Sequence, residues 1–274
     1  MPGEDLDAAL TAARRFTHSG MTTVLTQLGE NVAGADEARA VTQHYLGALD
    51  RIRKLGLAAH ISVKPTHLGM DVSAALCREQ FATLVQHAQE QRCFVWVDME
   101  GSAYVDRTLE LYHALRTARP NVGVCLQAYL RRTPQDLERL LPLVPTIRLV
   151  KGAYNERAEV AFPAKRDVDA HYFELARRLL AATPRPPQPH GFGTHDLALI
   201  DQIIAHARSA GVANTSFEIQ MLYGIKSAAQ ERLAREGNSV RVLISYGSYW
   251  FPWYMRRLAE RPANVGFVLR SMFG

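Results

Sequence analysis

The sequence predicts an α/β fold, a (β/α)8 TIM-like barrel forming a single domain over residues 1–274, and three observations carry that expectation. Short apolar and β-branched runs recur eight times, and each is followed by an amphipathic stretch rich in alanine, leucine and arginine. The length of 274 residues also suits one such barrel, which takes about 250. The first run, at 22–28, precedes a helical pattern at 36–54; the second, at 58–64, precedes one at 74–91. The runs at 94–98, 122–126 and 147–151 are followed by helical patterns at 105–117, 134–142 and 165–182. The last three runs, at 191–194, 216–220 and 240–245, lead into 196–209, 227–236 and 251–261. A strand with a crossover helix is the unit of a parallel sheet, and eight in succession close on themselves; an open doubly wound sheet has similar local patterning and ranks second. The proline-rich 184–189 reads as a loop before the sixth strand.

Composition narrows the function classes. At 47% hydrophobic and 22% charged the chain can build a continuous core, which argues against wholesale disorder. The formal charge of +5 is spread in pairs such as Arg14/Arg15, Arg131/Arg132, Arg177/Arg178 and Arg256/Arg257, not in the runs of a nucleic-acid arm, so nucleic acid is not expected as a partner. Cys77, Cys93 and Cys125 have no metal-ligand spacing, and neither a disulfide framework nor a metal is expected. The first 20 residues carry Glu4, Asp5 and Asp7 without a basic and then apolar export pattern, and no apolar stretch reaches the roughly 20 residues of a spanning helix. The expectation is a cytoplasmic protein.

In barrels of this kind the site is assembled at the carboxyl ends of the strands. Here those ends fall at or near Glu30, Lys64, Asp98, Gln127, Arg148 with Lys151, Thr194 with His195, Gln220 and Tyr246. Each could be a polar residue opening a solvated loop; their convergence on one rim is what points to function. Lys64 and Asp98 both follow apolar runs and are expected to pair, either as a rim salt bridge or to orient a substrate or tune a proton transfer. The run from Arg148 through Lys151, Gly152 and Ala153 to Tyr154 puts a glycine turn after a strand, where backbone can approach a ligand, although one glycine does not define a phosphate site. Thr194 and His195 either meet a cofactor's polar tail or cap the next helix. Six of the nine residues from Tyr246 to Tyr254 are aromatic. On a helix Trp253, Arg256, Arg257 and Glu260 share a face, which suits a small carboxylate or, equally, a solvated arginine pair beside an aromatic patch.

Taken in order, Leu28-Gly29-Glu30, Val63-Lys64, Asp98-Met99-Glu100, Leu126-Gln127-Ala128-Tyr129, the run from Arg148 to Tyr154, Thr194-His195, the run from Phe217 to Gly224, and the run from Arg256 to Asn264 resemble the proline dehydrogenase family. The likeness extends to the barrel domain of bifunctional proline-utilisation flavoproteins. It implies a distorted barrel that holds FAD, with the last helix over the barrel mouth. By motif match, Arg256 and Arg257 would grip a substrate carboxylate, Lys64 would lie beside substrate with Asp98 as its partner, and Glu30 would pair with Arg256 as a gate. Tyr154 and Leu222 would line the substrate pocket. Gln127, Arg148, Val150, Lys151, Gly152, Ala153, Thr194 and His195 would meet the flavin, with Arg148 nearest its reactive ring. The implied reaction passes a hydride from the ring carbon beside proline's nitrogen to flavin N5 and gives Δ1-pyrroline-5-carboxylate. A quinone as electron acceptor, and with it peripheral contact at the inner face of a membrane, is implied in turn.

The sequence departs from the family pattern where a tyrosine is usual. Trp253 stands three residues before the first arginine of the pair, Leu243 replaces a second pocket tyrosine, and Thr26 replaces an aspartate of the first strand. These changes bear on the substrate, which the resemblance implies is a small cyclic amino acid, either proline or a modified proline. Two other readings stay open: a Schiff-base lyase using Lys64 or Lys151, and a flavin-binding barrel without turnover.

Overall fold

In the structure, a computed structural model that describes residues 1–250, eight strands close into one all-parallel barrel. They are β1 (Thr22–Gln27), β2 (Ala59–Val63), β3 (Val95–Val97), β4 (Val122–Gln127), β5 (Thr146–Val150), β6 (His190–Gly193), β7 (Phe217–Leu222) and β8 (Ser239–Tyr246). Pairing of β8 with β1, with Leu25 opposite Ile244, closes the ring and excludes the open sheet.

Helix α1 (Leu6–His18) precedes the barrel, and α2 (Ala35–Lys54), α3 (Ala74–Glu90), α4 (Val105–Ala118), α5 (Thr133–Leu140), α6 (Lys165–Ala181), α7 (Leu197–Ser209) and α8 (Ser227–Arg235) follow the first seven strands in turn. The helix expected at 251–261 lies outside the described residues. Helix α1 is not called for by the strand–helix alternation. Its buried face is mostly alanine, Ala9, Ala12 and Ala13 around Leu10, so its apolar stripe is faint in the sequence. The Asp5 side chain caps it by accepting from the Ala8 amide at 2.7 Å, and the helix packs over the seam between β8 and β1.

Side chains alternate along each strand, and the two faces of the barrel wall differ in chemistry. Outward-facing Leu25, Ile61, Val63, Val95, Val97, Ile147, Leu149 and Ile219 join Phe81, Leu84, Tyr172 and Ile200 of the helices in one core. Inside the barrel Val24, Phe94 and Trp96 form a separate apolar plug, with Leu243 packed against it. Gly123 stands beside Trp96 in register, and a Cβ there would lie 2.7 Å from the indole and 2.9 Å from the Thr146 carbonyl oxygen, so the missing side chain makes room for the plug.

Nearer the amino ends of the strands, Arg241 meets Glu218 through two hydrogen bonds of 2.8 and 2.7 Å and donates to the Thr23 carbonyl at 2.8 Å. The Trp96 indole N–H donates to His60 Nδ1 at 3.3 Å. Burial first, then the charges of Arg241 and Arg148, hold the His60 pKa well below the ordinary imidazole value. The barrel interior therefore has a paired ionic floor, an apolar middle and a polar mouth.

Candidate active site

The mouth is built where inward-facing positions run off the ends of the strands. Lys64 follows β2 and precedes a 3-10 turn at Pro65–Leu68. Its ammonium sits 3.2 Å from the Glu30 carboxylate and 3.4 Å from the Gly29 carbonyl. The pair expected between Lys64 and Asp98 is not formed. Asp98 instead receives Arg148, which reaches across from β5. The reason is geometric: the guanidinium is long enough to lie over the Trp96 ring, its central carbon 5.1 Å from the ring centroid, and there its Nη2 meets Asp98. Lys64, one residue beyond its strand, meets the Glu30 loop first. Arg256, the expected partner of Glu30, lies outside the described residues, as do Arg257, Trp253 and Glu260.

Arg148 is the centre of the mouth. Its Nη2 donates to Ser62 Oγ at 2.6 Å and also to Asp98, while the Ser62 hydroxyl donates to Asp98 at 2.8 Å. Burial opposes the Arg148 charge most strongly, but Asp98 and the neighbouring Cys125 thiol offset it, leaving the pKa above the ordinary arginine value. Arg148 Nη1 is buried with no hydrogen-bond partner among the described residues, and so is Gln127 Oε1 at the end of the adjacent β4. Other buried polar atoms also lack partners among the described residues, but these two lie on neighbouring strands at the barrel mouth, where a ligand could use their hydrogen-bonding capacity.

The loop after β5 arranges the next residues. Val150 ends the strand, and Gly152 takes φ +117 with the Tyr129 ring where a Cβ would stand, only 2.2 Å away, so glycine here admits the aromatic ring. Lys151 pairs with Asp169 and with Asp196 at 3.0 Å, and Lys165 shares both carboxylates, reaching Asp196 at 2.8 Å. Lys165 first, and Lys151 against the opposing effect of burial, hold the Asp196 carboxyl well below the usual carboxylate range. Ala153 and Tyr154 continue the loop, which Glu156 ties to the loop after β3 by accepting from the Ser102 amide at 2.6 Å and hydroxyl at 2.5 Å. The Tyr154 ring thereby borders Gly101, three residues from Asp98.

On the opposite side, Thr194 Oγ1 accepts from the Asp196 amide at 3.2 Å. The Leu222 amide donates to His195 Nε2 at 2.9 Å, which places the imidazole proton on Nδ1 and joins the ends of β6 and β7. Strand β7 runs two residues past its expected end, so Leu222 takes the rim and Gln220 lies inside the barrel, donating to Glu218 at 3.2 Å. Tyr246, expected at the mouth, is buried on the outer face with its hydroxyl 2.8 Å from His44 Nε2. It faces outward because β8 alternates from inward Leu243.

Three structural contributors go unnamed in the strand-end reading. Ser62 is inward by alternation two residues before Lys64, and that periodicity was the available signal. Glu100, also buried, accepts from the Thr66 amide at 2.9 Å and hydroxyl at 2.7 Å, fixing the turn after Lys64. Burial raises its pKa. His67 in that turn is pushed down to about 4 by burial and then by Lys64, so it adds no positive charge beside the ammonium at neutral pH. Among the described residues no group of His, Cys, Asp or Glu is placed to hold a metal, and no helix is long and apolar enough to cross a membrane.

A closed parallel barrel that gathers charged, partly desolvated side chains and two unsatisfied buried groups at one mouth is an enzyme scaffold. The chain belongs to the proline dehydrogenase family, a family of oxidoreductases: the family model described as "Proline dehydrogenase" matches residues 9–270. It is 37% identical to "Proline dehydrogenase 2" of Bacillus subtilis (strain 168) over 98% of this chain and 88% of the relative. It is 33% identical to "Proline dehydrogenase" of Deinococcus radiodurans over 98% and 87%. A crystal structure of proline utilization A (PutA) from Bdellovibrio bacteriovorus, inactivated by N-propargylglycine, superposes with a TM-score of 0.87 over 94% of this chain at 23% identity. The present chain covers 32% of that protein, and the likeness at this identity is one of fold.

Proposed function

We propose that this chain, as a single barrel domain over 1–274, is an FAD-dependent dehydrogenase that oxidises L-proline or a substituted cyclic amino acid to the Δ1-pyrroline-5-carboxylate-type imine. The observation that carries this reading is the pair of buried groups without a hydrogen-bond partner among the described residues, the donor Arg148 Nη1 on β5 and the acceptor Gln127 Oε1 on the neighbouring β4. A flavin ring edge offers acceptors and an N–H donor in alternation, and so satisfies both. The other residues fit the remaining parts of the group. Val150, Gly152 and Ala153 offer backbone on one side, Thr194 and His195 offer polar atoms on the other, and the Lys151 ammonium suits a phosphate.

Bound FAD would supply the hydride acceptor, its N5. The chain's own residues supply binding, orientation and charge. In the substrate the carbon–hydrogen bond beside nitrogen breaks with its electron pair, the nitrogen gives up its proton, and a carbon–nitrogen double bond forms. Arg256 and Arg257 would hold the carboxylate, with Lys64 beside the ring and Glu30 positioned to close over it. Asp98 keeps the Arg148 charge at the mouth, and Tyr154, Leu222, Leu243 and Trp253 would exclude water. The electrons would pass to a quinone or another acceptor, with peripheral contact at the inner face of a membrane where the acceptor is membrane-bound. The lyase reading loses ground because each candidate nucleophile, Lys64 and Lys151, is engaged in ion pairs with carboxylates and not presented free to a carbonyl.

Acid precipitation of the purified protein is expected to release FAD into the supernatant, since no covalent tether is evident in the matched segments. Colour retained in the pellet, or no flavin at all, would contradict the assignment.

The pocket should be retuned relative to a phenol-lined one. Leu243 packs on the apolar plug of Val24, Phe94 and Trp96, and the outward-facing Tyr246, its hydroxyl on His44, speaks against its replacing a missing phenol. Tyr254 lies outside the described residues. At about 1 kcal/mol per hydrogen bond, Leu243→Tyr with Trp253→Tyr is expected to raise kcat/KM for unsubstituted proline roughly tenfold or more. A wild-type enzyme already selective for proline over substituted rings would sink this idea.

A further inference from the structure

We infer that Ser62 is a positioning residue for the reaction: it keeps Arg148 from closing a two-nitrogen fork on Asp98 and so holds Nη1 available at the barrel mouth. The inference rests on the flavin reading above. Ser62 is fully buried on β2, two residues before Lys64, and its side chain lies between the two charged groups.

The directions of the three hydrogen bonds are forced by chemistry. A guanidinium only donates and a carboxylate only accepts, so the serine hydroxyl must give its single proton to Asp98 and receive one from Arg148. The result is a closed ring in which Arg148 Nη2 serves both Ser62 and Asp98 and thereby uses both of its hydrogens. Nη1 is left buried, with no hydrogen-bond partner among the described residues.

Arginine and carboxylate by themselves favour a bidentate fork, two parallel N–H···O bonds. Ser62 competes with that geometry: by drawing one hydrogen of Nη2 to its own oxygen and donating to the same Asp98 oxygen, it orients the guanidinium so that Nη2 alone meets Asp98. The serine is itself held: Tyr45 donates to the Ser62 carbonyl at 3.1 Å and accepts from the Gln27 amide at 2.9 Å, pinning the strand from outside the barrel. Without the hydroxyl, rotation of the guanidinium toward Asp98 would satisfy Nη1 internally. It would also draw positive charge away from the place where the reduced cofactor accumulates negative charge.

The test compares wild type with Ser62→Ala and Ser62→Thr, each measured for FAD dissociation constant, flavin midpoint potential and thermal unfolding. Ser62→Ala removes volume and should fold. It is expected to bind FAD about tenfold more weakly, the effect of roughly one hydrogen bond, and to shift the potential to more negative values without a matching loss of Tm. Ser62→Thr, which retains the hydroxyl, is expected to restore the potential toward wild type. A Ser62→Ala protein with wild-type affinity and potential, or one whose weaker binding merely tracks a lower Tm at unchanged potential, would overturn the inference while leaving the flavin reading intact. A wild-type protein that takes up no FAD overturns that reading and this inference with it.

Discussion

Arg241→Met is expected to lower the unfolding free energy by about 3–5 kcal/mol, the range for breaking a buried ion pair from one side. Arg241 and Glu218 are both less than a tenth exposed and meet through two hydrogen bonds on the floor of the barrel. Removing the arginine strands the carboxylate among Gln220, Thr23 and the base of the apolar plug, and deprives the Thr23 carbonyl of its donor as well. The companion variant Arg241→Met with Glu218→Leu removes both charges at similar volume and should recover most of the loss. Equilibrium urea unfolding measures both. An unchanged midpoint for the single variant would show that the ionic floor contributes no more than a surface pair.

Arg148→Ala is expected to weaken FAD binding by about 100-fold, toward the upper end of the 1.5–3 kcal/mol assigned to charged hydrogen bonds. Among the described residues, the guanidinium is the one mouth group that is buried, charged and left with an unused donor. Its loss also leaves Asp98 without a cation at the proposed flavin edge, which adds repulsion to the missing contact. The effect on folding should be smaller, because Asp98 retains some access to solvent and keeps the Ser62 hydroxyl. Titration of apoprotein with FAD, alongside thermal unfolding, separates the two effects. Full flavin occupancy with unchanged reduction kinetics would refute the role given to Arg148.

Much of this architecture is legible in the sequence. All eight strands fall within two residues of their expected ends, because runs such as Phe94-Val95-Trp96-Val97 are apolar on both faces and are bounded by polar strand ends. Helix α1 was not legible, since its packing face is alanine and the alternation does not require it. Strand-end position places Lys64, Asp98, Gln127 and Arg148 at or near the carboxyl ends of neighbouring strands. It could not say which charges meet, because pairing depends on reach: Arg148 spans the barrel over Trp96 to Asp98, and Lys64 falls to Glu30. Ser62 was hidden for a different reason, being an inward serine within an apolar run that only the alternation marks. Tyr246 does end β8, but the strand's phase turns its side chain outward, and β7 runs two residues past Gln220; phase and length are quantities that a shift of one or two residues changes completely.

The central claim, that this barrel mouth binds flavin and takes a hydride from a cyclic amino acid, is tested most directly by anaerobic titration of the FAD-loaded protein with L-proline, substituted prolines and pyrrolidine. The account predicts that the yellow absorbance is bleached by proline or a substituted proline and persists with pyrrolidine, which lacks the carboxylate that Arg256 and Arg257 would hold. A protein that stays yellow with every cyclic amino acid in the panel would contradict it.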